Sequence, residues 1–447
     1  MNKSSRNVAI VRPARISRLA PVFACIATVL GLPVHAAVSL PDAPMQTSNG
    51  VPPNIWFILD DSGSMGWDFM PGPFDSGGVP ATAPNAIQLQ TYARNTVYYN
   101  PNSTYRGWQG ADGTFMGDTP YTAVFNSTTL ASGGTTNLSG ATQTFYVPTA
   151  TNTDLADSRQ YTRYQFLTDG TATRCNWRTT PTVGYDNCSN VTTFTWGGVT
   201  RTLAQEKANF ANWFSYHRTR TKVAKAGASY AFNNTGIFNA DNDYRVGFTT
   251  IWQRNEFRIP VASNDGLFRG NNAGENRRVW FDRLFAAGAS GSTPLIPALG
   301  RAGAYYEESG VDGPWGPQAT ARQFECRQNF SILTTDGYWN NGATAVGNTD
   351  ATNGTAISGP GNPTYTYTAA APYQDGWTNT LADVAMHYWK RDLRTDLVNS
   401  VPASATNPAF WQHMVTFGIS IGLRGTLNPK TDVPALTSGT LTWPDPM

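Results

Sequence analysis

A chain of 447 residues has room for two or three domains at roughly 150 residues each, and its 40% hydrophobic content allows a real core. Only 14% of residues are charged, while 42 Gly and 29 Pro call for many turns, so the surface is built from Asn, Thr, Ser and Gly, as in exported proteins. Setting aside the first 36 residues removes five basic side chains and no acids and takes the net charge from +2 to −3. No basic excess then remains to neutralise phosphates, which excludes nucleic-acid binding by charge.

In chain order, Lys3, Arg6, Arg12, Arg15 and Arg18 precede an apolar stretch from Leu19 to Val34, and Val34-His35-Ala36 before Ala37 fits a small-residue cleavage site. Residues 1–36 therefore read as a secretory signal peptide. Pro21, Pro33 and a length below the roughly 20 apolar residues of a spanning helix argue against a membrane anchor. Phe23, two residues before Cys25, argues against a lipidated cysteine. No membrane span is expected after cleavage. Export to an oxidising compartment makes Cys175 and Cys188 a candidate disulfide, with a loop-closure contribution of about 3 kcal/mol. Cys326 is left as a buried thiol or a partner for a segment outside the chain, and no Cys-x-x-Cys or Cys/His cluster suggests zinc.

Residues 37–53 form a Pro-containing leader into Ile55-Trp56-Phe57-Ile58-Leu59, five apolar residues without polar alternation, which suit a strand covered on both faces of a parallel sheet. Asp60, Ser62 and Ser64 leave its carboxyl end, where open α/β sheets bind ligands, and Gly63 lets the backbone turn so that three oxygens face one point. One carboxylate and two hydroxyls are hard donors suited to Mg2+, Mn2+ or Ca2+, with Mg2+ the first choice. Taken alone, Asp-x-Ser-x-Ser is equally compatible with a simple turn after a strand.

Residues 66–202 lack sustained helical periodicity and carry short β-branched and aromatic runs such as Val191-Thr192-Thr193-Phe194-Thr195-Trp196, predicting a large irregular β-rich insertion. A helical pattern returns over Leu203 to Phe232, with Phe210, Trp213, Phe214, His217, Ala224 and Ala231 on one stripe and Lys207, Arg218, Arg220 and Lys222 on other faces. Asn239-Ala240-Asp241-Asn242-Asp243 is similar to the start of an EF-hand loop, but Tyr244 stands in place of the required Gly, so no calcium loop is assigned. A strand follows at Tyr244 to Ile251, then a helix at Arg277 to Ala287. Gly291-Ser292-Thr293-Pro294-Leu295 predicts a helix start with Thr293 as N-cap and Pro294 at the first helical position.

Phe330-Ser331-Ile332-Leu333-Thr334-Thr335-Asp336-Gly337 reads as a second apolar strand ending in Asp-Gly, followed by a second insertion at 337–376. Thr380-Leu381-Ala382-Asp383 has the form of a capping box heading a helix with Leu381, Val384, Ala385 and Tyr388 on one face. Val415, Phe417, Ile419 and Ile421 alternate with polar or small residues in a last strand. Strands alternating with helices predict an α/β fold with a doubly wound, mostly parallel sheet.

The set Asp60, Ser62, Ser64, Thr293 and Asp336 resembles the three loops of the metal-ion-dependent adhesion site of von Willebrand factor type A domains. The resemblance implies a Rossmann-type von Willebrand factor A-like domain made of residues 54–65 and 203–447. Phe210-Ala211-Asn212-Trp213-Phe214-Ser215-Tyr216-His217-Arg218-Thr219-Arg220, Cys326-Arg327-Gln328-Asn329-Phe330 and Leu381-Ala382-Asp383-Val384-Ala385-Met386-His387-Tyr388-Trp389 resemble the N-terminal half of the PilY family of type IV pilus biogenesis and tip-adhesin proteins. That resemblance implies a place in the periplasm, at the pilus tip or on the outer cell surface. It also implies roles in pilus assembly, twitching motility and attachment, with pilus tip or minor pilin proteins and a host or surface ligand presenting a carboxylate as partners. Members of the family carry a C-terminal β-propeller with its own calcium site. This sequence ends at Trp443-Pro444-Asp445-Pro446-Met447, so the expectation is a truncated product or a separately encoded propeller.

Two other classes compete with an adhesin. One is a structural minor pilus component whose metal only stabilises the fold. The other is a metal-dependent hydrolase: Asp60-Asp61-Ser62 is similar to an aspartyl phosphotransferase motif, but those enzymes need a second Asp where Ser62 stands. No Gly-x-Ser-x-Gly or His-Glu-x-x-His occurs, and nothing in the spacing of His217, His387 and His413 supports a catalytic triad. No enzymatic activity is expected.

Overall fold

The computed structural model describes residues 50–70, 86–150, 157–178, 184–238, 243–337, 339–340, 342–422 and 427–444. The signal peptide, most of the leader, and residues 239–242 of the EF-hand-like segment lie outside the described residues.

Strand β1 (Asn54–Leu59) is buried along its whole length. After a short helix α1 (Ala86–Leu89) the insertion forms a small pair, β2 (Val124–Phe125) with β3 (Thr135–Thr136). An antiparallel sheet follows, of β4 (Gln143–Pro148), β5 (Tyr161–Phe166), β6 (Ala172–Arg178) and β7 (Gly184–Asn190), and then a hairpin of β8 (Thr193–Trp196) and β9 (Val199–Thr202). Cys175 and Cys188 face each other across β6 and β7 and are joined by a disulfide. Helices α2 (Leu203–Tyr216) and α3 (Arg220–Phe232) come next, then β10 (Arg245–Thr250), α4 (Asn276–Ala286), α5 (Leu295–Glu307) and β11 (Asn329–Thr335). The hairpin β12 (Ile357–Gly359) and β13 (Asn362–Tyr365), α6 (Leu381–Trp389), β14 (Met414–Ser420) and α7 (Pro429–Thr437) complete the order.

The central sheet has the order β10–β1–β11–β14 and every pairing in it is parallel. The unbroken apolar run of β1 has its reason in two covered faces. Ile55, Phe57 and Leu59 pack with Phe232 of α3 and Trp280 and Leu284 of α4. Trp56 and Ile58 pack with Leu299 and Tyr306 of α5 and Val384 and Tyr388 of α6. Gly303 makes the second layer tight, since a Cβ there would lie 2.3 Å from the Tyr388 ring. The capping box of Thr380 and Asp383 starts α6 as its sequence predicts. This is the α/β architecture of a doubly wound sheet with an antiparallel insertion, consistent with a von Willebrand factor A-like fold. Strand β14 closes one edge, and its Phe417 and Ile419 are 42% and 48% exposed.

Three local expectations need correction. The helical pattern over Leu203–Phe232 is two helices, broken at His217–Thr219, where the Thr219 hydroxyl accepts from Lys222 N and caps α3. The first of them serves the insertion: Phe210 and Trp213 of α2 pack with Tyr99, Phe145, Phe166 and Phe194. Secondly, Arg220 and Lys222, which lie off the apolar stripe, are buried. The insertion, the end of α2 and the segment after α4 cover that side of α3 and supply acceptors. Lys222 Nζ donates to Phe125 O at 2.9 Å and Phe214 O at 3.0 Å, and Lys225 Nζ to Thr128 O at 2.7 Å and Ala287 O at 2.6 Å. Burial pushes both ammonium groups down to about 7. Thirdly, the N-cap of α5 is Pro294, not Thr293, and the helix begins at Leu295; the Thr293 carbonyl accepts from Leu295 N at 3.0 Å, so the turn closes one residue later than the Thr-Pro pattern predicts.

Within the second insertion, Asp350 is 1% exposed; one carboxylate oxygen accepts from Asp375 N at 3.3 Å and the other has no partner among the described residues. Burial raises its carboxyl from 3.8 to about 6, with nearby Asp375 and Asp383 adding to the effect. A carboxyl raised on folding holds its proton more tightly in the folded state, so stability falls as pH rises from 3.8 to about 6. Asp350→Asn is expected to melt higher than the unsubstituted protein at pH 7. The difference, followed by thermal unfolding across pH, should vanish below about pH 4.

Candidate metal centre

The in-register pairing of β1 with β11 sets Leu59 opposite Thr334, so the next residues, Asp60 and Thr335, stand level at the carboxyl edge of the sheet. The chain runs from β1 to β10 on one side and comes back to β11 on the other, so the crevice between these two strand ends is the switch point of the sheet. Thr335 Oγ1 donates to Asp60 Oδ2 at 2.7 Å and Ser62 N to Asp60 Oδ1 at 2.7 Å. Ser62 Oγ lies 3.0 Å from Ser64 Oγ, which donates to Asp336 Oδ1 at 2.9 Å. Burial raises the Asp60 carboxyl above its ordinary value, against the hydrogen bonds from Ser62 and Thr335, and Asp336 adds like-charge repulsion.

Asp60, Ser62, Ser64 and Asp336 are thus brought together. Among the described residues no hydrogen bond joins the Thr293 hydroxyl to them. The loop of Thr293 is nonetheless tied to the first: Ser290 N donates to Asp61 O at 2.7 Å and Gly63 N to Gly291 O at 2.9 Å. A Cβ on Gly63 would approach Gly291 O to 3.3 Å, so the loops meet where a side chain would crowd them. Thr293 N donates to Asn340 Oδ1 at 2.7 Å, linking it to the segment after Asp336.

Asp61 faces the other way. Its carboxylate, 1% exposed, accepts from Arg254 Nη1 at 3.1 Å and Trp252 N at 3.3 Å, and burial raises its pKa despite them. The second carboxylate of the cluster has its own cation. Arg220 Nη1 lies 2.6 Å from Asp336 Oδ2, with both side chains buried. The guanidinium also donates through Nε to Phe69 O at 2.8 Å and sits over the rings of Trp67 and Phe69, which stack with centroids 5.2 Å apart. Thr221 Oγ1 donates to Met65 O at 2.7 Å, so the first turn of α3 is fastened to the Ser62–Ser64 loop.

The donor set suits a hard divalent cation. In an octahedron of oxygens about 2.1 Å from Mg2+, neighbouring donors stand about 3.0 Å apart, the spacing of Ser62 Oγ to Ser64 Oγ and of Ser64 Oγ to Asp336 Oδ1. Among the described residues no three His, Cys, Asp or Glu side chains converge on a metal position; this cluster has two carboxylates and completes its set with hydroxyls.

Thr335, Arg220, Arg254 and Asn340 are the residues that sequence reasoning missed. Thr335 follows from strand register once β1 and β11 are paired. The other three have no sequence signal.

The chain is 28% identical over 455 residues to the type IV pilus biogenesis factor PilY1 of Pseudomonas aeruginosa strain PAK, covering 92% of this chain and 36% of that protein. It is 29% identical over 439 residues to PilY1 of strain UCBPP-PA14, covering 90% of this chain and 34% of that one. Over nine tenths of its length the chain is similar to these PilY1 proteins. It spans about a third of the length of these curated relatives. No protein-family model matches it, and no solved structure does. Among the described residues no helix is long and apolar enough to cross a membrane.

Removing the hydroxyl that Thr335 gives to Asp60 leaves a buried carboxylate oxygen short of a donor, at a cost of about 1.5–3 kcal/mol for a bond to a charged group. Thr335→Val is expected to lower the denaturant midpoint accordingly in metal-free buffer, measured by urea unfolding.

Proposed function

We propose that this chain is an exported pilus biogenesis and adhesion factor. In this reading it engages its partner through a metal-ion-dependent adhesion site made of Asp60, Ser62, Ser64, Thr293 and Asp336. The observation that supports this most directly is the hydrogen-bonded chain of oxygens from Ser62 through Ser64 to Asp336, formed by loops 272 residues apart at the switch point of the sheet. A bound Mg2+, or Ca2+ or Mn2+, supplies a Lewis-acidic centre for a carboxylate of the partner. Asp60 and Asp336 hold the charge that retains the ion, and the neutral hydroxyls of Ser62 and Ser64 occupy positions without cancelling more of it. Thr293 reports on the loop that leads into α5, so occupation of the site can shift that helix. The partners are pilus tip or minor pilin proteins and a surface ligand presenting Asp or Glu. The location is the periplasm, the pilus tip and the outer surface, and the functions served are pilus assembly, twitching motility and attachment. The site is read as a binding site with no catalytic role.

Ser62→Ala and Asp60→Ala proteins, compared with the unsubstituted one for retention on isolated type IV pili, should lose the part of binding that EDTA removes and Mg2+ restores. Retention that is indifferent to EDTA rejects the adhesion site. A metal that raises the melting temperature while leaving retention unchanged would mark a purely structural ion.

A further inference from the structure

The Arg220–Asp336 pair has no counterpart in the ligand set itself, and its placement bears on what the site demands of a ligand. Three carboxylates lie at the switch point, Asp60, Asp61 and Asp336, and two guanidinium groups answer them. Arg254 answers Asp61 at 3.1 Å from outside, with 45% of its side chain exposed, whereas Arg220 answers Asp336 at 2.6 Å with 3% exposed. With all three carboxylates ionised, the formal charge of the site is one net negative. A divalent cation makes it one net positive, and a single carboxylate then brings it to neutrality.

Without Arg220 the ion alone would balance the charge. The arginine is also held in place by its neighbours. Thr219 caps its helix, Arg220 N donates to Trp67 O at 3.2 Å, Nε is fixed on Phe69 O, and the rings of Trp67 and Phe69 line the guanidinium. Nη2 is sealed from solvent and has no hydrogen-bond partner among the described residues, so the charge of the guanidinium is only partly answered by the cluster as it stands. The first turn of α3 adds the positive end of its helix dipole in the same place.

We infer that Arg220 is the specificity-determining residue of the site. As a built-in cation it keeps Asp336 in position in the metal-free protein, weakens capture of a divalent ion alone, and makes tight ion binding depend on a carboxylate arriving with it. The partner carboxylate of the proposed function is then bound together with the metal and not after it. This inference rests on the adhesion-site reading.

The test is titration of the purified protein with Mn2+, read by water-proton relaxation, with and without saturating acetate as the carboxylate probe. The unsubstituted protein should bind Mn2+ more tightly in acetate. Arg220→Gln should bind Mn2+ about tenfold more tightly on its own, the effect of removing one unit charge about 5 Å from a divalent ion under near-aqueous screening, and acetate should add nothing. Arg220→Lys, which keeps the charge, should retain the acetate effect, and it decides the matter if Arg220→Gln fails to fold. Arg220→Gln with unaltered Mn2+ affinity in both conditions, or Arg220→Lys without the acetate effect, overturns the role of Arg220 alone. Mn2+ that binds equally well to Ser62→Ala overturns the adhesion-site reading, and this inference with it.

Discussion

The parallel, in-register pairing of β1 with β11 is the constraint on which the rest of the site depends. Because Leu59 stands opposite Thr334, the two strands end level. The first residues beyond each end are then forced into the same crevice: Asp60 on one side, Thr335 and Asp336 on the other. A shift of one residue in that register would turn the side chains of β11 to the opposite faces of the sheet. Trp56 and Ile58 share one core with Leu333, whereas Phe57 shares the other with Phe330 and Ile332. The apolar content of both strands, buried on two faces, is therefore what fixes the polar site at their tips.

Given that frame, the site is organised as much by its surroundings as by its oxygens. Each carboxylate there is buried, and each has donors that keep it in place: Ser62 N and Thr335 for Asp60, Arg254 and Trp252 N for Asp61, Ser64 and Arg220 for Asp336. Leaving any of them unpaired in the interior would be costly. Helix α3 contributes to this support from its first turn. Its first turn reaches Met65 and Asp336, while Lys222 and Lys225 hold backbone carbonyls of the insertion and of the segment leading toward Thr293. One helix thus ties the candidate ligand loops to the insertion.

The insertion has its own core, rich in aromatic rings, and borrows α2 to complete it. The buried Arg201–Glu206 pair, with Tyr99 donating to the same carboxylate, anchors the start of that helix to the loop at Pro101–Thr104. Similarity to PilY1 proteins extends across the insertion as well as the central sheet, since it covers 90% or more of the chain.

Much of the architecture was legible in the sequence because it rests on patterns of short range. Five apolar residues in β1, the Asp-x-Ser-x-Ser run after it, the apolar strand ending at Asp336 and the capping box at Thr380 each carry their meaning within a few positions. The split between α2 and α3 was less legible, because apolar spacing on both sides of Thr219 keeps nearly the same phase and only the cap marks the break. Tertiary structure alone decided which charged side chains would be buried. Arg220 and Lys222 read as lying off the apolar stripe of a helical pattern, and they and Lys225 become interior because the insertion and the loops around Met65 and Ala287 close over them with acceptors. It also decided that Thr335 serves Asp60, since that depends on strand register, and that Thr293 lies outside the helix it precedes, since that depends on how the turn at Pro294 closes. Local sequence sets the preference of a segment for helix, strand or turn; which polar atoms find one another across 116 or 275 residues depends on packing that no short window contains.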